Sequence, residues 1–368
     1  MTANKTSTIS IVLAYLVVYF VWGSTYFFIE KALHSFPPFV LGSIRFIIAG
    51  SLLMGYCALR GYKLFNKRDV KRAALIGFLL LFIDMAAVIW AEQYISSGIV
   101  SILGAAAAIW FILLDKPKWK ANFGSLPIVL GLLLGFTGVV MLFGEQIFNA
   151  DVNNGDGKNI IAMVVMTVGT IGWTVGSLYT KYTQDKKDPI EEEKKEKPLN
   201  VIVKTAWQMV TAGVAFTTVA LATGEYSSFH IETVPLHDWG ALAYLITMGS
   251  ILAFSCYIWL LQVRPATEVS TYAYVNPIVA LILAHFFTKH LVTELQVFGL
   301  IIILFSVLLM NWNLYKNNRT FRVLRARKKI KRLKYMAPKS SIPRIVEVAD
   351  FDEREKKKNQ AKIDENNS

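Results

Sequence analysis

Two formally charged side chains, Arg45 and Asp84, stand well inside long apolar stretches of this chain. An unpaired charge at the centre of a hydrocarbon layer costs at least about 3 kcal/mol, so a charge kept there has a task or a partner. Asp84 is the deeper of the two. It lies about twelve residues beyond the basic cluster Lys71/Arg72, about 18 Å along a helix, too far for a short side chain to reach interfacial water. It reads either as a protonatable or cation-pairing carboxylate, which makes it the candidate proton carrier, or as a neutral carboxylic acid hydrogen-bonded between helices. Arg45 follows Pro37-Pro38 by about seven residues. It can snorkel to the nearer interface, pair with an anionic group of a bound solute, or pair with Asp84.

A second polar constellation is Ser270-Thr271-Tyr272-Ala273-Tyr274-Val275-Asn276-Pro277, which puts hydroxyls, an amide and a helix-breaking proline inside an apolar run. Pro277 is the expected kink: it removes one backbone hydrogen bond and can free a carbonyl for a ligand. Tyr272 and Asn276 share a helix face at i, i+4. Trp22 and Trp173 lie twelve or more residues into their runs, beside the small residues Gly23/Ser24 and Gly172/Gly176. They read as a cavity wall or as close helix packing. The candidate solute-binding set is therefore Trp22, Ser24, Arg45, Trp173, Tyr272, Tyr274 and Asn276. Trp90, Trp110, Trp119 and Trp259 fit the aromatic belts of a membrane interface, while Glu30, Glu92 and Glu268 fall at helix ends and His285 near one. No Gly-rich phosphate loop, no metal-spaced His or Cys and no nucleophile set is present, so neither a cofactor, a metal nor catalysis is expected.

The elements that hold these residues are set by composition. Of 368 residues 54% are hydrophobic and 18% charged, which nearly excludes a soluble enzyme. The apolar residues fall into ten runs, approximately 10–29, 38–59, 73–91, 98–114, 125–144, 159–178, 203–222, 239–262, 269–288 and 294–314. Each is long enough to cross about 30 Å of hydrocarbon. The expected fold is an all-α membrane protein of ten transmembrane helices. The first run lacks a basic start and a cleavage pattern, so it is expected to stay in the chain. Cys57 and Cys256, both inside runs, read as packing residues rather than a disulfide.

Basic residues stay on the cytoplasmic side of a membrane. With the N-terminus (1–9) inside, the inner connections, including loop 181–202, hold seventeen Lys or Arg against three outside, Lys31, Lys158 and Lys289. Loop 145–158 is then outer. Ten crossings return the C-terminus to the cytoplasm, where residues 316–368 carry seventeen basic and seven acidic residues of a chain whose net charge is +13. Attraction to anionic lipid is the simpler account of the stretch RVLRARKKIKRLKY, which lacks the aromatic interleaving of a nucleic-acid binder. The tail, 315–368, reads as disordered.

Sliding the chain on itself shows a repeat. A shift of 169 superimposes Ile89-Trp90 on Ile258-Trp259 and Gln93 on Gln262; a shift of 163 places Arg45 on Gln208 and Ala49-Gly50 on Ala212-Gly213; a shift of 168 places Gly131-Leu132 on Gly299-Leu300. Trp22 and Trp173 stand at similar depths in the first helix of each half. Five crossings is an odd number, so the second copy enters from the opposite side and the repeats, 10–144 and 159–314, are inverted. Two inverted units around a central site can exchange conformations, which is the architecture of a carrier.

These residues carry a resemblance. Trp22-Gly23-Ser24, Pro37-Pro38 with Arg45-Phe46, WAEQYISSG at 90–98, and above all GSILAFSCYIWLL followed by STYAYVNPIVA resemble the drug/metabolite transporter superfamily, EamA-type branch, over residues 10–314. The resemblance implies a ten-helix carrier of two inverted five-helix repeats, both termini cytoplasmic, that exports or exchanges small metabolites such as amino acids. The chain departs from the family pattern at Ala108, where a proline is usual, and at Thr288-Lys289-His290, where an acidic step is usual. The expected function is secondary transport of a metabolite across the inner membrane by alternating access. A non-transporting sensor or scaffold working through the basic tail is the alternative, and the sequence leaves a homodimer open.

Overall fold

The computed structural model describes residues 8–95, 97–149, 158–184, 198–288 and 293–310. Among these residues every regular element is a helix. In chain order they are α1 (Thr8–Ala32), α2 (Pro38–Leu59), α3 (Lys67–Ala91), α4 (Ser97–Ala105), α5 (Ala107–Leu114), α6 (Leu126–Asn149), α7 (Lys158–Gln184), α8 (Val201–Ala222), α9 (Leu236–Val263), α10 (Tyr272–Thr288) and α11 (Glu294–Met310), with short turns between. The tail and most of loops 181–202 and 145–158 lie outside the described residues.

Local signals start these helices. Proline opens α2 at its first position, where no amide is needed, and a Glu225 carboxylate oxygen accepts from Phe39 N and Val40 N at 2.8 and 3.1 Å. Asn66 caps α3 through Arg68 N and Asp69 N, and Asn200 caps α8 through Ile202 N. Among the described residues six helices are long and apolar enough to cross a membrane: α1, α2, α3, α7, α8 and α9. Two of the other expected runs depart from a simple span. Run 98–114 is divided at Ala106, where bonds from Ala106 N to Leu103 O and from Ile109 N to Ala106 O tighten the chain into a three-residue turn. Run 125–144 is bent by 95° against the preceding helical stretch Lys116–Phe123. Within the described residues α10 and α11 each run over 17 residues, to Thr288 and Met310.

Two of the long helices contain π-helical stretches, Phe78–Ile83 in α3 and Leu245–Ala253 in α9. The shift of 169 found in the sequence lays the first onto the second, so the repeat is legible in backbone irregularity as well as in residue type.

The helix seams follow the same repeat. Along α2 and α8, Ser43 meets Thr217 (2.6 Å between hydroxyl oxygens), a Cβ at Gly213 would stand 2.7 Å from Ile47 N, and one at Gly50 would stand 2.8 Å from Val210 N. Rising numbers on α2 meet falling numbers on α8, so the two run antiparallel. The shift of 163 carries Ile47 to Val210 and Gly50 to Gly213, making these two contacts images of one another. A second antiparallel seam joins α6 to α11. A Cβ at Gly131 would stand 3.0 Å from Ser306 O and one at Gly138 would stand 2.9 Å from Gly299 O; the shift of 168 exchanges these two pairs. Only glycine permits backbones to come this close.

Candidate functional site

Between the seams, α1, α2, α3, α4, α5, α7, α9 and α10 enclose a cavity of about 60 Å³. At about 10–15 Å³ for each water, it holds a handful of waters or a few heavy atoms of a solute. Its wall is built twice over. Trp22 and Trp173, Leu81 and Ser250, Met85 and Phe254, Gly104 and Ala273, and Ala107 and Asn276 all line it, and each pair is related by the shift of 151 or 169 that aligns the two halves at that point. The cavity therefore lies where the halves interchange.

Its floor is aromatic. The Trp22 ring stands 5.3 Å from Trp173, 4.9 Å from Tyr257 and 5.0 Å from Tyr272, and Tyr257 closes the group at 5.0 Å from Trp173 and 5.6 Å from Tyr272. Edge-on pairs of this kind add about 0.5–1.5 kcal/mol each beyond the area they bury. Two of the polar edges are anchored: Trp22 Nε1 donates to Gly249 O at 3.1 Å, and the Tyr257 and Ser177 hydroxyls bond at 2.6 Å.

Arg45 is 3% exposed. Its Nε donates to Ser250 Oγ at 2.8 Å and its guanidinium carbon stands 4.9 Å from the Phe46 ring centroid. Gly249 leaves room for it, since a Cβ there would stand 3.3 Å from Arg45 Nη2. Arg45 Nη1 is buried without a hydrogen-bond partner among the described residues. A buried cationic donor left unpaired is costly, and in a cavity wall it is a ready contact for an anion. Asp84, 7% exposed, lines the same cavity at the end of the π-helical stretch of α3. Among the described residues no ion pair joins it to Arg45, so the two charges remain separately available. Just beyond α3, both Glu92 carboxylate oxygens are buried without hydrogen-bond partners. Burial and then the charge of Glu30 push that carboxyl well above the usual carboxylate range, against the pull of Arg45.

Of the sequence-predicted residues, Trp22, Arg45, Asp84, Trp173, Tyr272 and Asn276 line the cavity. Ser24 and Tyr274 do not. Ser24 Oγ donates to Val21 O and bonds the Tyr244 hydroxyl, both at 2.7 Å. Tyr274 packs toward the α6/α11 seam beside Gly135, its hydroxyl donating to Leu132 O at 3.3 Å. The reason is helical phase: each stands two residues, about 200° of rotation, from a cavity residue, Trp22 in one case and Tyr272 or Asn276 in the other. Pro277 is carried inside α10, and the interruption of the run falls upstream at Ser270–Thr271. The His285 side chain lies outside the described residues. Thr25, Thr170, Gly249 and Ser250 line the cavity without having been singled out. Thr25 and Thr170 stand three residues from Trp22 and Trp173, so following one helix face from each tryptophan finds them. Among the described residues no group of three or more His, Cys, Asp or Glu is placed to hold a metal.

Long apolar helices around a buried polar cavity define a multi-pass membrane protein of the transport class. The sequence pattern of the EamA-like transporter family matches residues 9–144 and 160–312, and the chain belongs to that family. It is 32% identical over 308 residues to the uncharacterized inner membrane transporter YedA of Escherichia coli (strain K12), covering 82% of this chain and 90% of that one. It is 23% identical over 324 residues to the uncharacterized transporter sll0355 of Synechocystis sp., covering 84% and 92%. A solved structure described as the crystal structure of a protein shares the fold, with a TM-score of 0.62 at 14% identity, covering 82% of this chain and 96% of that chain. The protein is thus a membrane transporter.

Proposed function

We propose that this transporter is a secondary carrier that exports or exchanges a small, amino-acid-like metabolite by alternating access. The observation that carries the reading is the placement of the cavity where the halves interchange, with an unpaired Arg45 donor and the Asp84 carboxylate in one wall. Arg45 attracts the anionic group of the solute; Trp22, Trp173, Tyr272 and Asn276 shape its seat; Asp84 carries the proton if transport is proton-coupled. The antiparallel α2/α8 and α6/α11 seams support a pair of inverted repeats, 10–144 and 159–314. In this reading the divided α4/α5, α6, α10 and α11 are also crossings, giving ten. The basic loops then lie in the cytoplasm with both termini, the protein sits in the inner membrane, and the tail faces anionic lipid.

A thermal-shift screen of the full-length protein against metabolites tests this. A ligand that binds only the folded form at 100 times its Kd adds about 2.7 kcal/mol of stability. The expected result is a rise in Tm with a small set of zwitterionic or anionic metabolites. A flat response across the set, together with absence of exchange in vesicles, would remove the reading.

A further inference from the structure

We infer that Lys181 is the latch that holds the cytoplasmic side of the cavity closed in this conformation, acting as a positioning residue on the last turn of α9. The inference rests on the carrier reading and its orientation, in which the ends of α7 and α9 face the cytoplasm.

The last carbonyls of a helix lack intrahelical donors. At the end of α9 the deficit is fixed by sequence, because the residue four beyond Leu261 is Pro265, which has no amide hydrogen. Arg264 before it is extended, with φ −131° and ψ 154°. Lys181, near the end of α7, supplies the missing donors: its Nζ donates to Leu261 O at 2.8 Å and to Arg264 O at 2.7 Å. A cation at a helix C-terminus is also favoured by the helix dipole. Around it, Arg264 Nη2 donates to Glu268 at 2.5 Å, the Tyr182 hydroxyl donates to Asp115, and the Tyr19 hydroxyl bonds the Thr271 hydroxyl at 2.6 Å. Together these bonds tie α7, α9, the turn before α10, α1 and the end of α5 below the aromatic floor.

The opposite end of the molecule gives the contrast. The shift of 151 that carries Trp22 to Trp173 carries Glu30 to Lys181, and the shift of 169 carries Glu92 to Leu261. The same two positions therefore hold an ammonium facing helix carbonyls at one end and two carboxylates at the other. Glu30 takes its hydrogen bond from Ser97 Oγ at 2.7 Å rather than from α3, and the Glu92 carboxylate has no hydrogen-bond partner among the described residues. One end is latched; its image is not. The cavity wall likewise extends from the aromatic floor toward that unlatched end, through Ile29 and Val88.

The test places a single reporter cysteine at Thr25, with Cys57 and Cys256 replaced, and measures labelling by a membrane-impermeant maleimide in right-side-out and inside-out vesicles. Lys181→Gln should raise cytoplasmic labelling at least about tenfold relative to outer labelling, because two charge-assisted bonds are lost. Lys181→Arg, which keeps both donors, should stay near the wild-type ratio. Glu268→Gln, which frees Arg264 from its partner, should move the ratio the same way by a smaller factor; it serves where Lys181→Gln does not fold. An unchanged ratio in folded Lys181→Gln, or equal opening by Lys181→Arg, overturns the latch. If the cysteine reacts from neither side in any variant, the carrier reading falls and the latch with it.

Discussion

The seams of this molecule obey its internal repeat, whereas the cavity between them breaks it. At the α2/α8 seam Gly50 and Gly213 make image contacts, and at the α6/α11 seam Gly131 and Gly138 do the same. In the cavity several lining positions still correspond but their chemistry does not: Asn276 corresponds to Ala107 and Ser250 to Leu81. Arg45 and Asp84 correspond to Gln208 and Ala253, which stand outside the lining. The lesson is a division of labour. A symmetric scaffold lets each half adopt the other's conformation, while one-sided polar residues give a solute something to recognise. Only the two tryptophans keep their identity on both sides, which suits a floor that must work in either conformation.

The predictions press on this contrast. Arg45→Gln should cost most, lowering the initial exchange rate in proteoliposomes by about two orders of magnitude, in line with the few kcal/mol a desolvated charge contact contributes. The protein should still fold, since Arg45 makes no ion pair among the described residues. Asp84→Asn should abolish uptake driven by a pH gradient while sparing exchange at uniform pH; unchanged gradient-driven uptake would strip Asp84 of its coupling role. At the seams the effect moves from transport to stability. Gly50→Ala and Gly213→Ala should each lower the free energy of unfolding by about 1–3 kcal/mol, and by similar amounts, because each Cβ would meet backbone on its neighbour. A large inequality between the two would mean that the seam is less symmetric than its contacts suggest. The smallest change is Ser43→Ala, which removes hydroxyl bonds to Thr217 and Tyr226 and should cost about 1 kcal/mol.

Much of this was legible in the sequence because lipid leaves the chain few options. A backbone in hydrocarbon must be helical, so run length located α1, α2, α3, α7, α8 and α9 directly. The repeat was legible because glycine seams tolerate few substitutions, and Ala49-Gly50 and Ala212-Gly213 survive in both halves. Less visible was anything set by helical phase or local irregularity. Ser24 and Tyr274 are polar and centrally placed, yet two residues around the helix turns them from the cavity. The division of run 98–114 at Ala106 has no proline or glycine at the break to announce it. Likewise the π-helical stretch in α3 consists of ordinary apolar residues, and the one in α9 carries no proline. Ser250 lies inside the motif GSILAFSCYIWLL, but its bond to Arg45 spans 205 residues of sequence and needs the fold to be seen.

The most direct test of the central claim, that this cavity is the transport site, is release from vesicles. Proteoliposomes loaded with a mixture of cell metabolites would carry either the wild-type chain or Arg45→Gln, and mass spectrometry would read which solutes leave. The account predicts that one or a few zwitterionic or anionic metabolites escape from wild-type vesicles and stay behind in those of the variant. Equal release of the same solutes by both proteins would place the transport path elsewhere.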